Sequence, residues 1–314
     1  MTEVITLGES MAALRGTGPM RLGGDMRLSV AGAESNVAIG LSRLGHATRW
    51  VGRVGADQPG ELVTRTLRAE GVDVTSVVVD PDAPTGLILF EPRIADVVRV
   101  NYYRSGSAGS RLNPRDLVPA LTGGARLLHV TGITCALGPE PLAAVRHAVD
   151  HARASGWTVS LDVNFRSRLW SADEATRVLS PLAERADVVI ASDDELPLVT
   201  GGTGDTAEAA QRLLDAGVSE VVVKLGADGA HLHHRDGTEH ATAVRVPVVD
   251  TVGAGDAFSA GYLSARLDGL DSPGRLHRAV LLGAFAVASA GDWEGLPTRA
   301  ELPLLDLAPG STVR

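Results

Sequence analysis

The residues best suited to chemistry lie late in the chain, in DTVGAGDAFSAGYL at 250–263. The apolar stretch 246–249 predicts a strand ending at Asp250 and Thr251. Gly253, Ala254 and Gly255 then turn the chain into a helix carrying Ala257, Phe258, Gly261 and Tyr262. Residues this small let backbone N–H groups converge, and a helix start adds partial positive charge, so the turn suits an anion. Asp256 sits at that positive end. There a carboxylate stays ionised and can take a proton from a hydroxyl attacking a phosphate. The same spacing also suits a tight strand–helix turn in which Asp256 only caps the helix. Spacing alone does not choose between the two.

Competing patterns are missing. There is no G-x-x-x-x-G-K-[ST], and the G-x-G at Gly253 and Gly255 has Phe258 where a dinucleotide fingerprint needs Gly or Ala. No G-x-S-x-G supplies a nucleophile elbow.

The elements that position this segment follow from periodicity. The β-branched runs at 4–7, 126–130, 158–163, 187–191 and 220–225 suit strands buried on both faces. Between them, 34–44, 59–69 and 139–154 have helical spacing, the last two with Pro in the first turn and Gly71 or Gly156 after the end. Strand–helix alternation predicts a largely parallel sheet covered by helices. Two stretches break the rhythm, 11–30 and 85–103, the second reading as two strands joined near 92–96. Both predict β-structure standing off the main sheet as a lid. AHLHH and EHATA flank RDGT as a hairpin, which makes His231, His233 and His234 an exposed turn rather than a metal site.

Composition bounds the partners. The 314 residues carry 29 Lys+Arg against 38 Asp+Glu, a net charge of −9 that argues against a nucleic-acid or anionic-membrane surface. Lys224 is the only lysine. The single cysteine, Cys135, excludes an intrachain disulfide and reads as a buried filler. The N-terminus shows no signal-peptide pattern, and the most apolar stretch, 279–290, is shorter than the roughly 18 residues that span a bilayer. The expectation is a cytoplasmic protein without membrane association.

DTVGAGDAFSAGYL resembles the C-terminal motif of the ribokinase-like (PfkB) carbohydrate kinases. AGAESNVAIGLSRLG (31–45), followed by WVGRVGADQPG (50–60), resembles that family's N-terminal motif. The resemblance covers essentially the whole chain. It implies one three-layer α/β kinase domain over 1–314, with a mostly parallel sheet and a small β lid near 11–30 and 85–103. It also implies phosphorylation of a sugar-like hydroxyl by ATP with Mg²⁺. By resemblance Asp256 is the catalytic base, and Gly253, Ala254 and Gly255 form the anion hole. Gly32 and Asn36 match the sugar-contacting positions, which otherwise read as a turn glycine and a helix-start polar residue. SDDE (192–195) stands where the family has N-x-x-E. Glu195 therefore fits the role of organising Mg²⁺ and phosphate, while Ser192 replaces the Asn. KLGADGA (224–230) resembles the turn beside the nucleotide, with Lys224, Gly226 and Gly229. Asp250 begins the segment that helps relatives bind a monovalent cation. Val252 departs from the second Thr of some relatives and leaves potassium dependence open. Relatives often pair through the lid, which implies a homo-oligomer.

The acceptor is suggested by two arginines. In NYYRSGSAGSRL (101–112), Tyr102 and Arg104 project to one face of a strand. In LDVNFRSRLW (161–170), Asn164 and Arg166 follow a strand end, where α/β sheets build binding sites. Two guanidinium forks suit a carboxylate better than a neutral sugar, although each arginine alone also reads as a surface charge. YYRSGSAGS, DVNFRSRLW and GDWEGLPTRAEL (291–302) look like the 2-keto-3-deoxygluconate kinase branch. That implies phosphorylation of the terminal hydroxyl of an acidic keto-sugar, held by Tyr102, Arg104 and Arg166. The alternatives are a fructokinase or ribokinase type with a neutral acceptor, or a sensor without turnover.

Overall fold

The computed structural model describes residues 2–94, 97–202 and 205–306. Its first half runs β1 (Val4–Leu7), β2 (Met11–Gly16), β3 (Met26–Ala31), α1 (Ala33–Arg43), β4 (Thr48–Val51) and β5 (Arg53–Gly55). There follow α2 (Gln58–Ala69), β6 (Val78–Asp80), β7 (Leu87–Ile94), β8 (Val97–Tyr103), α3 (Pro114–Leu121) and β9 (Leu127–Thr131). Next come α4 (Gly132–Ala136), α5 (Pro139–Ala154), β10 (Thr158–Asp162), α6 (Ala172–Ala183), β11 (Val188–Ser192) and α7 (Pro197–Thr200). The last are α8 (Thr206–Asp215), β12 (Glu220–Lys224), β13 (Ala230–His234), β14 (Gly237–Ala241), α9 (Ala254–Leu267) and α10 (Ser272–Val287).

Eight strands form the central sheet in the order β14-β13-β12-β11-β10-β9-β1-β4. From β4 to β12 neighbours are parallel, and the β13–β14 hairpin adds two antiparallel strands at one edge. Alternation along the strands divides the core. Val189 and Ala191 pack with α5, α6 and α8 on one face, while Val188 and Ile190 pack with α1, α9 and α10 on the other. This is the expected three-layer α/β arrangement. On the second face small residues set the spacing: a Cβ at Gly40 of α1 would come within 2.7 Å of Ala260 Cβ in α9.

The lid is a separate four-stranded sheet, β3-β2-β7-β8. Its apolar residues Met11, Ala13, Ile88 and Phe90 cluster together. The two expected lid segments thus supply all four of its strands. Ala95 and Asp96, part of the expected joint in the second segment, lie outside the described residues.

Three expectations are corrected. Residues 246–249 form no strand: Val248 and Val249 are exposed, Pro247 offers no ladder donor, and the backbone N–H of Val249 bonds the Val287 carbonyl at the end of α10. The hairpin turn is tighter than RDGT, since His234 pairs with Gly237 and only Arg235 and Asp236 connect the strands. His231, His233 and His234 lie within β13 rather than on an exposed turn, and His233 is buried. Among the described residues no cluster of His, Cys, Asp and Glu is arranged to hold a metal, and no helix is long and apolar enough to cross a membrane.

Candidate active site

The C-terminal ends of β10, β11 and β12 face the lid across a cavity of about 1450 Å³. Clefts at such strand ends are where α/β sheets bind ligands. Asn36, Asn164 and Asp256 line it on the core side, and Tyr102 and Arg104 on the lid side. Gly32, Arg166, Ser192, Glu195, Lys224, Gly253 and Gly255 complete the expected set. Ala254, Asp250, Gly226 and Gly229 are not among the cavity's lining residues. Gly229 is at φ 99°, and a Cβ there would collide with the Ala241 carbonyl, so hairpin geometry explains this glycine.

Asp256 is not a helix cap. Gly253 occupies the N-cap in the left-handed conformation, φ 77°, and no side chain caps α9. Its first N–H groups therefore have no intrahelical acceptor. The Asp256 carboxylate instead accepts Nδ2 of Asn36 at 2.8 Å and Nδ2 of Asn164 at 3.3 Å. Burial raises its pKa to about 6; the Asn36 hydrogen bond opposes the rise, Asp162 adds to it, and Arg166 and Lys224 counter it. A carboxylate so placed is ionised at neutral pH yet basic enough to accept a proton.

Both asparagine side chains have a second feature in common. Each Oδ1 is buried without a hydrogen-bond partner. Such atoms are costly unless something donates to them, and a polyhydroxylated ligand supplies donors. Asn164 is also the only described non-glycine residue at positive φ, 38°, a conformation that clusters at functional sites.

Lys224 stands beside the α9 turn. Its Nζ lies 3.0 Å and 3.2 Å from the two oxygens of Asp162, and Ser259 donates to the same carboxylate at 2.9 Å. A Cβ on Gly255 would sit 3.7 Å from that ammonium. Burial works against the charge, but Asp162, with Glu195 and Asp256, raises the lysine above its ordinary value. The one lysine of the chain is thus a fixed cation next to the turn that opens α9.

The two arginines differ. Arg104 presents Nε and Nη2 to Glu9 Oε2, at 2.6 Å and 2.5 Å, and Ser107 bonds the other Glu9 oxygen. The edge expected to meet a ligand carboxylate is therefore taken by a resident one, which corrects the reading of Arg104 as an open fork. Its Cζ lies 5.6 Å from the centre of the Tyr102 ring, although β8 ends at Tyr103 and Arg104 follows it. Arg166 is exposed to the cavity and, among the described residues, bonds only its neighbour's carbonyl, Phe165 O, at 3.0 Å. It makes no ion pair with a described carboxylate.

Glu195 is buried, and its oxygens accept the backbone N–H of Phe165 at 2.7 Å and of Ser192 at 2.9 Å. It pins the Asn164–Phe165 turn to the end of β11. The Ser192 hydroxyl bonds Asp194 at 2.5 Å, and Asp194 also lines the cavity. The Asp194 carboxylate fits Mg²⁺, which takes one or two protein ligands when phosphates and water supply the rest, while Glu195, both its oxygens taken by backbone N–H groups, organises the site indirectly. The Asp250 carboxylate does not fit a monovalent cation: Oδ1 accepts the N–H of Val252 at 3.1 Å, and Oδ2 accepts Arg15 at 2.9 Å and the N–H of Gly291 at 3.3 Å.

Sequence reasoning missed Glu9, Arg15, Arg168 and Asp292. Arg168 bonds the Val100 carbonyl at 2.6 Å and braces the core loop against the lid. Asp292 lines the cavity and pairs with Arg15; burial raises it to about 7 despite that arginine. Its only sequence signal was its place in GDWEGLPTRAEL.

Comparison with known proteins agrees with this architecture. Residues 1–299 match the pfkB family carbohydrate kinases. The chain is 40% identical over 311 residues to a 2-dehydro-3-deoxygluconokinase of Bacillus subtilis, covering 96% of this chain and 94% of the relative. A solved 2-dehydro-3-deoxygluconokinase from Thermotoga maritima superposes with TM-score 0.89 at 26% identity, over 97% of this chain and 98% of its own. A ribokinase II of Escherichia coli, solved in complex with ATP and Mg²⁺, superposes with TM-score 0.91 at 25% identity over 98% and 99%. With a family match over nearly its whole length and both motifs converging on one cavity, the chain belongs to the PfkB carbohydrate kinases.

Proposed function

We propose that this sugar kinase transfers the γ-phosphoryl group of ATP to the terminal hydroxyl of an acidic keto-sugar, with 2-keto-3-deoxygluconate as the preferred acceptor. The observation that carries the kinase chemistry is the pairing of Asp256 with two asparagines of the cavity wall whose amide oxygens are buried and have no partner among the described residues. Acceptor hydroxyls that meet Asn36 and Asn164 at the cavity wall bring one hydroxyl against the Asp256 carboxylate. Asp256 takes its proton as the oxygen attacks the γ-phosphorus, and the bond to the β–γ bridging oxygen breaks in line to release ADP. The N–H groups of the α9 turn and the Lys224 ammonium stabilise the charge that builds on the phosphoryl oxygens. Mg²⁺, which Asp194 would hold with Glu195 organising the turn behind it, would supply further charge neutralisation.

Two features support the acid acceptor: the uncommitted guanidinium of Arg166 in the cavity, and relatives named 2-dehydro-3-deoxygluconokinases. Arg166 pairs with the substrate carboxylate, Tyr102 packs on its carbon chain, and Arg104 holds Tyr102 and Glu9 in place. Closure of the lid over the cavity excludes water, which otherwise competes as an acceptor. The test is ADP release measured across neutral sugars, aldonic acids and keto-deoxy acids. Highest kcat/KM on a 2-keto-3-deoxy acid is expected. Preference for fructose or ribose would overturn the acid reading, and no turnover on any acceptor would favour a sensor.

A further inference from the structure

The turn that binds the transferred phosphoryl group is framed by two acidic residues of distant origin. Asp250 precedes it by three positions and is held against Val252 and Gly291 by the hydrogen bonds described above. Asp292 contacts it directly: a Cβ at Gly253 would collide with the Asp292 carbonyl oxygen, so these backbones are in close contact. Both carboxylates converge on one side chain, Arg15 of lid strand β2, which pairs with Asp250 at 2.9 Å and also with Asp292. The guanidinium is itself held in place. Its Cζ lies 3.9 Å from the centre of the Phe90 ring on β7, directly across the register, and its side chain is only 16% exposed.

We infer that Arg15 is the built-in cation of this site: a positioning residue that ties the two sides of the phosphoryl-binding turn together, so that the enzyme needs no monovalent metal ion. The resemblance implies such an ion beside Asp250, but every oxygen of that carboxylate already has an N–H donor. A guanidinium suits the place because its planar fork reaches two carboxylates at once with directed, charge-assisted bonds. Because Arg15 belongs to the lid, the same contact links the lid to the turn. The inference rests on the kinase reading only for its kinetic test.

ADP release and melting temperature are measured in KCl, NaCl and tetramethylammonium chloride at one ionic strength. For the unaltered enzyme both quantities are expected to be the same in all three salts. Arg15→Ala should lower kcat about tenfold or more while the KM for ATP changes little, and guanidinium ion or K⁺ should recover part of the loss. Arg15→Lys, which keeps the charge, serves if the alanine variant does not fold, and should retain more activity than Arg15→Gln. Stimulation of the unaltered enzyme by K⁺ over tetramethylammonium overturns the inference. So does wild-type kcat in Arg15→Ala, or a loss that neither cation repairs. If no acceptor in the panel turns over, the proposed substrate fails, and the melting temperatures decide this question alone: a rise specific to K⁺ sinks it and equal values uphold it.

Discussion

Asn36 on α1 donates its side-chain N–H to the Asp256 carboxylate on α9 at 2.8 Å, although 220 positions separate them. The contact joins the two motifs of the chain at the atom expected to accept a proton, and it fixes the carboxylate's orientation without adding positive charge. The basicity of Asp256 therefore follows mainly from burial.

For Asp256→Asn, kcat should fall about 10²–10⁴-fold with ATP binding nearly intact. In the unaltered enzyme kcat/KM should decline as pH drops through about 6, because the base is then protonated. A rate–pH profile flat across that interval, or normal turnover in the variant, would remove Asp256 from the base role.

Lys224→Gln tests the fixed cation. Removing the ammonium takes away both the partner of buried Asp162 and a positive charge beside the turn. A loss of about 10²-fold in kcat is expected. If only the melting temperature drops while kcat holds, Lys224 is structural and the phosphoryl group is stabilised by the turn alone.

Arg166→Ala and Arg104→Ala should differ in kind. Arg166 is exposed and has no ion-pair partner among the described residues, so its loss should leave stability within about 0.5 kcal/mol while raising KM for acidic acceptors selectively. Arg104 neutralises buried Glu9, so its loss should cost about 3–5 kcal/mol of stability as well as activity on every acceptor. Thermal melts beside kinetics on one acidic and one neutral sugar separate the two. Equal weakening of both acceptors in Arg166→Ala would count against a carboxylate contact.

Glu34 provides a test of pH-dependent stability. It is buried at the start of α1 and accepts the Thr131 hydroxyl at 2.6 Å and that of Thr134. Burial raises its pKa from 4.5 to about 7, with a smaller contribution from Asp256, while the two hydroxyls pull it down. Between those values the unfolded chain has lost the proton and the folded one keeps it, so this group makes stability fall as pH rises from about 4.5 to 7. Glu34→Gln keeps an acceptor for the threonines and should remove about 1–3 kcal/mol of that fall. Parallel melting-versus-pH curves for the two proteins would show that Glu34 does not titrate there.

Much of the frame is legible from local pattern. The runs at 4–7, 158–163 and 220–225 become β1, β10 and β12 because β-branched stretches flanked by helices suit a covered parallel sheet. The helix at 139–154 is found as read, and the one at 59–69 starts one residue earlier because the Asp57 side chain accepts the N–H of Gly60. The strand expected at 246–249 fails because its apolar residues meet no neighbouring strand. Hydrophobicity marks a segment able to pair, whereas pairing also requires an open ladder beside it, and the sheet ends at β14.

By itself, then, the sequence determined the layer architecture, the lid, and the turn that presents Asp256. Each is encoded in spacing over a few neighbouring residues. Only the tertiary structure decided how the charges are shared. Arg104 could not be seen to face Glu9, nor Arg15 to join Asp250 and Asp292, because ion pairs between positions 95, 235 and 277 apart leave no local pattern. Which arginine has a free face for a substrate depends on which carboxylates the fold has already brought to the others.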